Sequence, residues 1–183
     1  MPATAPGQPI VLILRRIKAT AGSDRVNCTA SITHMENIMT GIGDYMINHH
    51  KECDEVFARA EEAVGAADWQ RAQAEFEAFA HQMDRHFDME ENLLFPEFEK
   101  KTGHAGGPTQ VMRMEHDQMR VVIHDMRSAL EAKDAEQYLG LSETFLVLMQ
   151  QHNYKEEGIL YNMIDQVLGD QGEKLIAQLD SVA

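Results

Sequence analysis

The chain has 183 residues, enough for one domain with a buried core, and 16 Lys and Arg against 30 Asp and Glu set the formal net charge at −14. That balance excludes nucleic acid and anionic membrane surfaces as main partners. With 44% hydrophobic and 25% charged residues the composition is that of a folded domain, and two cysteines, Cys28 and Cys53, are too few for a disulfide framework, which points to a reducing, cytoplasmic setting.

Residues 1–34 carry Arg15, Arg16, Lys18 and Arg25 against Asp24 alone, while residues 35–183 hold 12 basic and 29 acidic residues. The longest strongly apolar run, Ile10–Leu14, is too short to span a bilayer, and no basic segment precedes it as in a signal peptide. Residues 1–34 are therefore expected to be a basic, poorly ordered extension. From Met35 the sequence reads helical: a first helix to Gly65, then a second opened by Asp68 and running to about Lys101, its last turns kinked by Pro96. The stretch TGHAGGPT (102–109) is the clearest loop. Pro108 opens a third helix to about Lys133, Asp134 caps a fourth to about Leu168, and residues 169–183 form a tail with a short helix at Glu173–Leu179. Four helices with short connections predict an all-α, up-and-down antiparallel four-helix bundle over residues 35–168. No strand–glycine loop–helix unit is present, which excludes a nucleotide-binding fold.

Laid on itself at an offset of 66, the domain matches without a gap. His50 falls on His116 and His86 on His152; HFDMEENLLF (86–95) falls on HNYKEEGILY (152–161), aligning Glu90 with Glu156 and Glu91 with Glu157. Each half is a helix with one histidine followed by a helix with H-x-x-x-E, an internal two-helix repeat.

The apolar seams show where these residues point. They read Met46, His50, Cys53, Phe57, Ala60, Val64 on the first helix and Phe76, Phe79, Met83, His86, Glu90 on the second. The third gives Met112, His116, Met119, Ile123, Met126, Leu130; the fourth gives Phe145, Met149, His152, Glu156, Ile159 or Leu160, and Met163. Steps of three and four make these the core positions of a bundle, so four imidazoles and two carboxylates stand where leucine is expected. Burying them unpartnered costs several kcal/mol per charge. A hydrogen-bonded network or a metal compensates, and imidazole with shared carboxylate suits a pair of first-row ions, iron above all, with zinc as the alternative.

The motifs His50, HFDME (His86, Glu90), MEHDQM (His116) and HNYKE (His152, Glu156) make residues 35–168 resemble the hemerythrin-like, HHE cation-binding domain family. The resemblance implies a four-helix bundle around a non-haem di-iron centre, with Glu90 and Glu156 bridging two iron ions, His50, His86, His116 and His152 capping them, and an oxide or hydroxide between them. Two departures stand out. Oxygen-carrying hemerythrins resemble H-x-x-x-H on the third helix, whereas Arg120 stands four residues after His116; they also place the last carboxylate one residue later, which would select Glu157. The four-histidine, two-glutamate set resembles branches that sense iron, respond to nitric oxide or repair iron centres.

The functional expectation is a cytoplasmic di-iron protein that binds or senses O2 or NO, with no nucleic acid or membrane partner. The alternatives are an enzyme acting on peroxide or NO, and iron storage or iron-centre repair. His49 is expected on the surface, as are His34, His81, His104 and His124. Cys53 reads as a small buried hydrophobe, Tyr45 as either a phenol near the metals or a core aromatic, and Arg85, Arg113 and Arg120 as partners of the acidic exterior.

Overall fold

The computed structural model describes residues 41–104 and 106–182. The predicted N-terminal extension, the first residues of the predicted first helix, His34 and Cys28 lie outside the described residues. The expected all-α, up-and-down bundle is the observed fold. Its helices are α1 (Ile42–Gly65), α2 (Trp69–Met89) continuing into α3 (Phe95–Thr102), α4 (Pro108–Glu131), and α5 (Ala135–Lys155) continuing into α6 (Tyr161–Leu168). A single 3₁₀ turn, Gly169–Gln171, leads into α7 (Gly172–Leu179).

Local chemistry sets the boundaries. Asp68 accepts from the Arg71 amide and Asp134 from the Gln137 amide, so both capping aspartates close orphan donors at a helix start. Gly103, at φ 73, ends α3 in the left-handed region, and Pro108 sits in the first turn of α4, where no amide is needed. The second and fourth helices are each interrupted by a π-helical turn, Glu90–Leu94 and Glu156–Leu160. The irregularity thus lies before Pro96. It recurs before Asn162, whose side-chain amide donates to the Glu157 and Gly158 carbonyls, so proline is not its cause.

Two apolar clusters fill the interior. One gathers Phe57, Phe76, Phe79, Met83, Met119, Ile123, Phe145 and Met149; the other gathers Met46, Leu94, Phe95, Met112, Leu160, Tyr161, Ile164 and the α7 residues Leu175 and Leu179. His50, His86, Glu90, His116, His152 and Glu156 fall between them: His50 between Met46 and Phe57, His116 between Met112 and Met119. That band is the one belt of the core with polar groups from all four helices. Among the described residues, no helix is long and apolar enough to cross a membrane.

Candidate metal centre

The six predicted residues meet in this band, all buried. His50 on α1 and His86 on α2 bring their Nε2 atoms to 3.1 Å. His116 on α4 and His152 on α5 bring theirs to 3.2 Å. Two nitrogens bound at about 2.1 Å to one ion, at right angles, would be about 3.0 Å apart. Glu90 Oε2 lies 3.6 Å from His86 Nε2 and 3.2 Å from His116 Nε2. Glu156 Oε2 lies 3.1 Å from His152 Nε2 and 3.3 Å from His50 Nε2. Each carboxylate therefore faces one histidine of each pair. Two groups of donor atoms, each within 4.8 Å, result: Glu90, His116, His152 and Glu156, and His50, His86 and Glu156.

Without a cation this arrangement is poorly satisfied, and that is the test of whether a metal fits. Glu90 Oε2 and Glu156 Oε1 are buried and make no hydrogen bond; the contact of Glu90 Oε2 with His116 lacks the geometry of one. Such orphans cost about 1–3 kcal/mol each. Burial opposes charge on His50 and His116, but the adjacent carboxylates of Glu156 and Glu157 for the first, and of Glu90 and Glu91 for the second, outweigh it and raise each pKa to about 9. Burial and the neighbouring Glu156 carboxylate raise Glu90, whereas the charge and hydrogen bonds of His152 and His50 overcome burial to hold Glu156 down. The buried carboxylates recruit positive charge, which protons supply here and metal cations would supply better. The donor set fits a pair of cations.

Carboxylates aim three of the four rings. Glu157 Oε1 accepts from His50 Nδ1 at 2.8 Å, Glu91 Oε1 from His116 Nδ1 at 2.7 Å, and Glu115 Oε2 from His152 Nδ1 at 3.1 Å. Each bond orients its ring with Nε2 facing inward, the atom that would hold a cation once its proton is displaced. Glu91 is in turn gripped by both Arg120 amino groups, at 2.9 and 3.0 Å, and Glu115 by Lys155. Burial raises Glu91, but the hydrogen bonds from His116 and Arg120 outweigh it and hold the carboxyl at about 2. Glu156 is the inward member of its doublet and Glu157 the outward one. The doublets Glu90-Glu91 and Glu156-Glu157 are visible in the sequence, where Glu157 is weighed only as an alternative ligand and Glu91 is given no role.

Two expectations are corrected. His49 is not on the surface: it is 4% exposed, its ring stacked on His86 at 5.4 Å between centroids. Arg85 Nη1 lies 3.1 Å from its Nε2, so burial and that guanidinium lower its pKa to about 4 and keep it neutral. Arg85 serves His49 and the Val182 carbonyl instead of an acidic exterior. The reason is geometric: α1 and α2 pack side by side, and a residue one step off the seam is covered by the facing helix. His49 holds the place that Glu115 holds beside His152, and accordingly His86 Nδ1 has no partner. Of the two readings open for Tyr45 the structure shows the core aromatic, its hydroxyl donating to Asp180 at 2.7 Å. The hydroxyl that enters the centre belongs to Tyr161, which sequence reasoning passed over. It lies 2.9 Å from Glu90 Oε1, 3.0 Å from Glu156 Oε2 and 3.1 Å from His50 Nε2. Its only signal was the alignment with Phe95. His81, His104 and His124 are exposed, and Cys53 is buried, as expected.

A four-helix bundle with imidazoles and carboxylates converging from every helix defines the class: a metal-binding helical bundle. The hemerythrin HHE cation-binding domain model matches residues 42–164, and the chain belongs to that family. No curated protein and no solved structure matches it significantly.

Proposed function

We propose that this chain is a cytoplasmic non-haem di-iron protein that binds or senses a small ligand, O2 or NO, at the His/Glu cluster. The carrying observation is that Glu90 and Glu156 each face a histidine of both imidazole pairs, as carboxylates shared between two ions must. His50 and His86 would hold one iron, His116 and His152 the other, with both glutamates common to the two. Bound iron would supply reversible redox change and open positions for a diatomic molecule. The chain's own residues do the rest. Glu157, Glu91 and Glu115 fix the rings, while Phe87, stacked on His116 at 4.3 Å, Phe95 and Met83 exclude bulk water and larger ligands. Turnover of peroxide or NO, and iron storage or iron-centre repair, would draw on the same donors.

The test is metal content per chain on protein from iron-supplemented cells, with absorption spectra before and after reduction and air exposure. Close to two irons, with near-ultraviolet bands that bleach on reduction and return in air, is the expected result; Glu90→Ala and Glu156→Ala should each lose stable binding. Zinc alone, or a folded protein without metal, overturns the reading. Steady O2 evolution from peroxide, or N2O from NO, would replace a binding role with an enzymatic one.

A further inference from the structure

Besides the exchange of Glu115 for His49, the two halves of the centre differ by one oxygen atom at the aligned pair Phe95 and Tyr161. In a regular helix a residue five positions on lies about 140° round the axis, far from the first. The π turn over Glu156–Leu160, closed by the Tyr161 amide on the Glu156 carbonyl, carries Tyr161 back over Glu156. The turn over Glu90–Leu94 does the same for Phe95 over Glu90. Tyr161 therefore delivers a hydroxyl on the side of His50, whereas Phe95 brings a bare ring to 6.0 Å from the His116 ring.

Among the described residues, the hydrogen-bond partners of that hydroxyl are all donor atoms of the centre. Its neighbours at 2.9, 3.0 and 3.1 Å are Glu90 Oε1, Glu156 Oε2 and His50 Nε2. These separations match adjacent donors around one ion, about 3.0 Å for bonds near 2.1 Å. Each of the three is an atom that would hold a cation, and the hydroxyl oxygen shares their fully buried site.

Resting on the di-iron reading above, we propose that Tyr161 is a seventh protein donor, bound through its phenolate oxygen to the ion held by His50 and His86. On metal entry the Tyr161 O–H bond breaks, an oxygen–metal bond forms, and the proton leaves to solvent with those displaced from the histidines; no electron moves. The consequence is asymmetry. The His50/His86 position is filled by protein, and an external ligand is directed to the His116/His152 ion beneath Phe95.

The experiment loads the full-length protein anaerobically with iron(II), oxidises it, and records iron content, visible absorption and resonance Raman spectra. A visible phenolate-to-iron(III) charge-transfer band is expected, with Raman ring modes that shift when the unsubstituted protein is made with ring-deuterated tyrosine. Tyr161→Phe should keep its iron and lose the band, while Tyr45→Phe keeps both. Two irons without the band, Raman modes insensitive to deuterated tyrosine, or a band that survives in Tyr161→Phe each overturn the proposal and leave the di-iron reading standing. No iron in the unsubstituted protein overturns both. The deuterium shift decides the matter even where Tyr161→Phe fails to fold.

Discussion

Among the described residues, Glu61 is the one buried carboxylate outside the candidate metal centre, 1% exposed, with its Oε2 unpartnered. Burial first, and the nearby Glu143 second, raise its pKa to about 7. The unfolded chain ionises it near the ordinary carboxylate value, so below that pH both states are protonated and nothing is lost. As pH rises from about 4.5 through 7 the unfolded state sheds its proton first, and stability falls by roughly 3 kcal/mol. Glu61→Gln removes this penalty: urea unfolding should find the variant more stable at pH 8 and equal to the parent near pH 4. A constant difference across that range would show that Glu61 does not titrate in this way. The centre makes the same point with the opposite resolution, since Glu90 and Glu156 are tolerated in the core because they converge on histidines.

At the scale of elements, the two π turns matter most. One extra residue in each turn shifts the apolar seam by a position. Leu160, Tyr161 and Ile164 are buried, while Ile159, the alternative to Leu160 on the seam, and Met163, placed there by uninterrupted helical spacing, are 57% and 38% exposed. Before the turns every seam residue named from the sequence is buried; beyond them the reading slipped. A heptad-like pattern assumes one helical pitch, and a change of pitch leaves no mark in composition. The same blindness hid the cap of α1. Gly41 offers no side chain, and Asp165 from α6 accepts from the Ile42 amide at 2.9 Å and the Gly43 amide at 3.3 Å. A Cβ on Gly43 would come within 2.8 Å of that carboxylate and 3.2 Å of the Tyr161 Cβ, so glycine is what lets α6 and its tyrosine approach. Asp165→Ala should lower the urea midpoint by the equivalent of about 1 kcal/mol at unchanged m-value. No change in midpoint would mean water caps α1 equally well.

Across the whole molecule, the polar band links all four helices at the middle of the core, so ligand binding there is also a statement about stability. A cation that joins His50, His86, His116 and His152 holds α1, α2, α4 and α5 together, and it binds the native state alone. Iron(II) added anaerobically at a thousandfold excess over its dissociation constant should stabilise the fold by about 4 kcal/mol, read as a higher Tm by calorimetry. Glu156→Ala should abolish that rise. A Tm indifferent to iron in the unsubstituted protein would separate the cluster from metal altogether. The net charge of −14 adds a sequence-independent attraction for cations, sensitive to salt.

The sequence by itself determined the helical class, the capping aspartates and the positions of the six inward polar residues, because seam periodicity and H-x-x-x-E spacing are local properties of one helix face. Only the tertiary structure decided what those residues face. The Tyr161 hydroxyl reaches the centre through a π turn, His49 is buried by the neighbouring helix, and Glu91, Glu115 and Glu157 hold histidines that belong to other helices. Each of these depends on contacts between segments 25 or more residues apart or on a local change of helical pitch, and neither is encoded in the spacing of residues along one helix.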